Sequence, residues 1–148
     1  MRFYNYLSRK KETFRPLRAK TIGLYTCGPT VYDFAHIGNL RTYIFEDVLR
    51  RVLEGAGYGV RHVMNITDVD DKTISRAREE GIPLSVLARR YELAFFEDLK
   101  KLTIRKPWKT PRATEHIDEM ITLIQRLLKN GLAYEKDRDK YKEDSSRH

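Results

Sequence analysis

Residues 21–66 read TIGLYTCGPTVYDFAHIGNLRTYIFEDVLRRVLEGAGYGVRHVMNI, and the changes of pattern within them decide the fold. Thr21 to Cys27 is rich in β-branched and aromatic residues, the composition of a strand, and Gly28-Pro29 punctuates its end. From Leu40 to Ala56 the period lengthens. Leu40, Tyr43, Ile44, Val48, Leu49, Val52 and Leu53 recur three and four apart, as on one face of a helix. Glu46 and Arg50, four apart, are expected on the other side as a supporting pair. Gly55 and Gly57 stop the helix, and Val60 to Ile66 returns to strand composition. Strand, loop, helix and strand make a βαβ unit, whose crossover lays both strands parallel in one sheet. The expected fold class is α/β.

Working outward, Phe3 to Leu7 reads as a short strand. The basic stretch Arg9 to Lys20, broken by Pro16, reads as an exposed turn or edge. Downstream, Asp70-Asp71-Lys72 opens a short helix ending near Gly81. A longer one covers Leu84 to Leu102 with Leu87, Tyr91, Ala94, Phe95 and Leu99 inward. Pro107 and Pro111 bracket a connector. Thr114 starts a helix with the stripe Ile117, Met120, Ile121, Ile124, Leu127 and Leu128, stopped at Lys129-Asn130-Gly131. The run EKDRDKYKEDSSRH after Tyr134 has nothing apolar but one Tyr and reads as a frayed or disordered tail.

The chain has 148 residues, enough for one domain with a hydrophobic core, and its 41% apolar content is ordinary for a globular protein. No run approaches the roughly 18 apolar residues of a membrane span, and the polar-aromatic N-terminus lacks a signal peptide's apolar core. No membrane partner is expected, and the cytoplasm is the default compartment. With Cys27 alone, no internal disulfide can form. The net charge of +8 suits polyanions through long-range attraction.

Chemistry concentrates in CGPTVYDFAHIGN, Cys27 to Asn39, between the first core strand and the helix. Parallel sheets bind ligands beyond the carboxyl ends of their strands, where this segment sits. A helix start just after it brings unpaired N–H groups and a positive dipole end, which suit phosphate. His36 can donate to a phosphate oxygen, Gly38 permits close backbone approach, Asn39 is a neutral donor and Thr30 carries a hydroxyl. Taken singly, each also reads as a cap or as turn chemistry.

HIGN resembles the HIGH signature of class I aminoacyl-tRNA synthetases, with Asn in place of the final His. The longer run CGPTVYDFAHIGNLRTYIFEDVLRRVLE resembles cysteinyl-tRNA synthetases specifically, as do NITDVDDKTI (65–74) and PRATEHI (111–117). The resemblance covers residues 1 to about 135. It implies the first half of a Rossmann-like parallel-sheet class I synthetase catalytic domain with flanking helices. Residues 1–112 would be that half-domain, 113–134 the start of a connective inserted region, and 135–148 a polar tail. The activity implied is cysteine–tRNA ligase: cysteine is activated with ATP to cysteinyl-adenylate and transferred to tRNA(Cys). His36 and Asn39 would be the catalytic pair, binding ATP and stabilising departing pyrophosphate. Thr30 would contact the triphosphate and Gly38 would make room for adenine. Gly28 and Thr67 would lie near the substrate cysteine, and Cys27 matches one zinc ligand. Asp68, Asp70 and Asp71 are read as helix capping, paired with Lys72 or Arg76, rather than as a metal cluster.

The chain departs from the family pattern in having no further zinc ligands. His62, His116 and His148 show no ligand spacing with Cys27, and there is no KMSKS-like run and no anticodon-binding domain. The expectation is an N-terminal portion inactive or weakly active alone, with a C-terminal half as the partner that completes it. An open sheet edge and apolar face would accompany that state. Two other readings stand beside it. One is a non-catalytic nucleic-acid or partner-binding module using Arg41, Arg50, Arg51, Arg89, Arg90, Lys100 and Lys101. The other is a related ATP-dependent ligase joining cysteine to an amino-sugar, from which Asn39 and TVYD differ.

Overall fold

The computed structural model describes residues 1–136, in two compact units: residues 1–113, and a second unit from Thr114 onward. The first opens with an antiparallel hairpin of β1 (Arg2–Asn5) and β2 (Lys10–Thr13). The basic stretch, read as an exposed turn or edge, holds the exposed strand β2. The Asn5 carboxamide makes the turn, accepting from the Leu7 N–H at 3.0 Å, and Arg9 takes the left-handed region at φ 56. Edge-to-face stacking of Phe14 with Phe3 and with Tyr58 ties the hairpin down.

The expected βαβ unit is present. β3 (Thr21–Thr26) pairs parallel with β4 (Gly59–Met64), in a register running from Thr21 beside Gly59 to Thr26 beside Met64. The crossover helix α1 (Ile37–Gly55) covers one sheet face. Residues 109–112 continue the sheet beyond β4: Lys109 bridges Val63 and Arg112 bridges Ile66, both parallel. Read as a proline-bracketed connector, this segment supplies carbonyls instead. Lys109 O accepts from the Met64 N–H and Pro111 O from the Ile66 N–H, so proline's missing donor costs the ladder nothing.

One expectation fails on α1. Glu46 and Arg50 do not pair on a solvent face; Glu46 and Asp47 are buried, whereas Ile44, Phe45, Val48 and Val52 are exposed. The inner face carries charge because it fastens the 103–106 segment. Asp47 accepts from the Arg105 N–H at 3.0 Å and from Arg51 Nε at 2.5 Å. Arg51 and Arg50 donate to the carbonyls of Thr103 and Lys106, Arg50 also pairs with Glu54, and Arg105 reaches Glu54 as well. Satisfied in this way, buried charge is tolerated where an isolated one would be expelled.

α2 (Asp71–Glu80) starts at a capping box. Asp70 accepts from the Thr73 N–H, and the Thr73 hydroxyl lies 2.7 Å from the Asp70 N–H. Asp70 thus serves as the expected cap, and Arg76 binds Glu80 one turn on. Gly81 ends α2 in the left-handed region. α3 (Leu84–Lys101) buries Leu87, Tyr91, Phe95 and Leu99 as expected, with Ala88 and Glu92 also inward. Together with Val31, Tyr43, Met64, Ile66 and Ala77 they form the core. A 3-10 turn (Ala113–His116) leads into α4 (Ile117–Lys129) of the second unit, closed by Gly131 at φ 67. Ile117, Met120, Ile121 and Ile124 of its stripe are exposed. Most of the expected polar tail lies outside the described residues.

Between α1 and the sheet runs a buried polar chain. The Thr26 hydroxyl lies 2.8 Å from His62 Nε2 and hydrogen-bonds the Glu46 carboxyl. Glu46 Oε2 and His62 Nδ1 have no partner. Burial pushes Glu46 up, against the Thr26 hydrogen bond. Burial and then Arg50 push His62 down, against Asp47. A raised carboxyl favours the fold below its unfolded value of about 4.5, and that contribution is lost as pH rises through the folded pKa. A depressed imidazole acts oppositely, withdrawing stability as pH falls below about 6.5. Glu46→Gln removes the first effect only. Its Tm should exceed the parent's at neutral pH, with the gap closing towards about pH 4, as read by thermal unfolding across pH.

Candidate functional site

Beyond the carboxyl ends of β3 and β4 the chain keeps pairing as a loop. The Val31 N–H donates to Thr67 O and the Thr67 N–H to Pro29 O, so Thr30 and Thr67 form a parallel bridge. Asn65 is the joint. Its Oδ1 accepts from the Gly28 N–H at 3.1 Å and the Tyr25 hydroxyl at 2.9 Å, and its Nδ2 donates to Thr67 Oγ1. A side chain at Gly28 would collide with the Asn65 carbonyl and the Met64 side chain, so glycine is required there by packing. Asn65 opens the NITDVDD block, but nothing in its sequence position marks it as the bracket of the loop.

That loop walls a cleft of about 340 Å³. Thr30, His36 and Asn39 line it, with Tyr32, Phe34 and Lys72. Phe34 meets Tyr91 edge-to-face at 5.1 Å, and Lys72 Nζ stands 5.4 Å from the Tyr32 ring. Of the sequence candidates, Gly28 also lines the cleft. Cys27, Gly38 and Thr67 do not, although each neighbours a residue that does. Lys72, read from sequence only as a pairing partner for aspartates, is the cation that lines this cleft.

His36 and Asn39 are not in a loop ahead of the helix; they are its first turn. His36 is the N-cap of α1 and Asn39 its third residue. The Gly38 N–H donates to His36 Nδ1 at 3.0 Å, and the His36 N–H donates to Asn39 Oδ1 at 3.2 Å. This reciprocal box fixes both polar ends. With Nδ1 accepting, the neutral imidazole carries its proton on Nε2. With Oδ1 accepting, the Asn39 amide is left its Nδ2 donors. The pair thus presents uncharged N–H donors at the positive end of a 19-residue helix. Gly38 serves this arrangement first, because a Cβ there would stand 2.7 Å from the His36 ring.

The match to known proteins falls on this same ground. The family described as the class I (C) tRNA synthetase catalytic domain matches residues 13–148. The chain belongs to that family. It is 56% identical over 139 residues to the cysteine–tRNA ligase of Brachyspira hyodysenteriae, covering 94% of this chain and 29% of the relative. With the ligase of Chlamydia trachomatis serovar D it shares 57% over 131 residues, covering 88% and 27%. With that of Methanosarcina mazei it shares 48% over 136 residues, covering 92% and 29%. The chain thus spans under a third of the length of these relatives. The mixed α/β fold with its parallel β3–β4 pair is that of a class I synthetase catalytic domain.

Zinc, implied by the resemblance, is not fitted by the residues present. Among the described residues no group of three or more His, Cys, Asp or Glu could hold a metal, and the exposed Cys27 has its Sγ 3.7 Å from the Gly28 carbonyl. A zinc ion takes three or four protein ligands, so no chemistry is routed through it here. Burial pushes the Tyr43 hydroxyl, at the cleft floor, up to about 12, with Glu46 and Cys27 adding to the shift; it stays a neutral donor. No helix among the described residues is long and apolar enough to cross a membrane.

Gly38→Ala tests the box directly. Alanine gains about 1 kcal/mol of helix propensity, while losing the cap costs about as much. The Tm should barely move. The imidazole nitrogen spectrum should change, the Nδ1-acceptor signature of the parent disappearing as the ring is displaced.

Proposed function

We propose that this chain is the ATP-handling portion of a cysteine–tRNA ligase, which joins cysteine to ATP as cysteinyl-adenylate and passes cysteine to tRNA(Cys). The capped His36–Asn39 pair facing one cleft with Lys72 carries the reading. In the reaction the cysteine carboxylate attacks the α-phosphorus in line, the α–β bridging bond breaks, and pyrophosphate leaves with its electron pair. Catalysis of this kind is positioning and charge stabilisation. His36 Nε2–H and Asn39 Nδ2–H donate to triphosphate oxygens, Thr30 adds its hydroxyl, and Lys72 supplies the counter-charge. Holding the imidazole oriented before ATP arrives spares reorganisation during the displacement.

Gly28 and Thr67, which shape the loop at the strand ends, flank the substrate cysteine in this reading. Gly38 keeps the helix start slim for the adenine as well as for the His36 ring. Cys27 would offer a single thiolate, which alone does not make a zinc site among the described residues. Residues 113–134 begin the connective region, and the protein works in the cytoplasm.

The test is ATP titration of the full 148-residue chain with magnesium, followed by cysteine-dependent ATP–pyrophosphate exchange. His36→Ala and Lys72→Ala should each weaken ATP binding about tenfold, the worth of one charge-assisted or well-placed hydrogen bond. Exchange by the chain alone should be low, and His36→Ala should remove whatever is present. ATP affinity that is indifferent to both substitutions, in folded protein, would overturn the assignment.

A further inference from the structure

α1 covers one face of the sheet; the other has an unusual make-up. There β3 presents Thr21, Gly23 and Tyr25, and β4 presents Gly59, Arg61 and Val63. Parallel strands buried on both faces are near-continuous aliphatic runs, yet only Val63 is aliphatic here. The register sets Gly23 beside Arg61 and Tyr25 beside Val63, and Lys109 bridges Val63 from the next segment. Tyr25 is 67% exposed, its ring steadied by the hydroxyl's 2.9 Å bond to Asn65. Trp108 is 56% exposed, with the Arg61 guanidinium 5.4 Å and the Lys109 ammonium 4.8 Å from its ring. A Cβ on Gly23 would meet nothing within 4 Å, so the middle of the face is flat and open.

Beside it lies a hollow of about 410 Å³ lined by Arg15, Arg18 and Arg61 together with Phe14 and Leu17, and by no carboxylate. This distinguishes the face from the ion-paired arginines elsewhere on the surface. Arg50, Arg51, Arg76, Arg89, Arg90 and Arg105 are each paired with a carboxylate, which removes four of them from the earlier list of nucleic-acid contacts. Among the described residues, Arg15, Arg18, Arg61 and Lys109 make no ion pair. Cations without carboxylate partners, gathered beside exposed rings on a sheet, are complementary to phosphates alternating with planar bases.

We propose that this face binds a single-stranded nucleic acid. Bases stack on the Tyr25 ring and the Arg61 guanidinium plane, and the backbone follows Arg15, Arg18 and Lys109. Stacking on aromatic rings and guanidinium planes is how sheet surfaces take unpaired bases, and counter-ion release supplies the rest. A duplex hides the base faces this arrangement needs. The site is separate from the cleft at the strand ends and does not depend on its assignment.

Trp108 is the only tryptophan, so its fluorescence reports on this face. The full chain is titrated with oligouridine of about 12 nucleotides, long enough for one such site. Saturable quenching is expected, with affinity falling with log salt at about −0.7 per phosphate contacted. Tyr25→Ala should weaken binding about tenfold, whereas Tyr25→Phe, which keeps the ring and loses only the Asn65 bond, should retain most of it. Arg18→Ala with Arg61→Ala should flatten the salt slope, and Lys100→Ala on α3 should leave it unchanged. Inorganic polyphosphate competing as well as the oligonucleotide, with Tyr25→Ala neutral, would mean charge attraction alone and overturn the proposal. Equal affinity for a duplex would do the same.

Discussion

The parallel pairing of β3 with β4 is the constraint on which everything else depends. Parallel strands cannot be joined by a tight turn, so the chain must leave one end of the sheet and return to the other through α1. That crossover puts the start of α1 and the ends of both strands on the same side. Loop residues 28–31 and Thr67 then keep pairing past the formal strand ends, held by Asn65. The cleft is the space left between this extension, the first turn of α1 and the aromatic residues of α3. The site is therefore a product of topology, and its side chains are refinements of a place the fold creates anyway.

Much of this was legible from residues alone. The switch from β-branched composition to a three-and-four period gave the βαβ unit, and Leu87, Tyr91, Phe95 and Leu99 gave the buried face of α3. The misreadings share a cause. Periodicity locates an apolar stripe but not which neighbour covers it. Ile44, Val48 and Val52 belong to the stripe of α1 and are exposed, while Glu46 and Asp47 turn inward to meet Thr26 and the Arg105 N–H. Such partners lie up to 58 residues away in sequence, where no local pattern reaches. Likewise β2 and the 109–112 segment pair through backbone groups, which lysines and prolines do not advertise.

The candidate site was legible as residue types and illegible as geometry. His36, Asn39 and Thr30 do share one cleft with Gly28. What residue types alone do not show is that His36 is itself the cap of α1. The first apolar periodic residue, Leu40, lies four positions after the cap, because a helix's opening turn is defined by hydrogen bonds and not by burial. Lys72 was hidden differently: next to two aspartates it reads as a local ion-pair partner, whereas Asp70 is spent on capping α2.

The capping box also resolves an apparent conflict at the start of α1. A bare helix N-terminus offers its own N–H groups to phosphate, yet here the Gly38 N–H is consumed by the His36 ring. What is lost as a backbone donor is regained at Nε2, farther out and with its tautomer fixed. Asn39 makes the same exchange through its amide, taking the His36 N–H on oxygen and leaving its nitrogen as a donor. The helix thus moves its donors from its rim to two side chains that line the cleft. A histidine in place of Asn39 could accept from the His36 N–H only through a ring nitrogen, leaving a single N–H outward. With asparagine at the third helical position the reciprocal box at the start of α1 is complete.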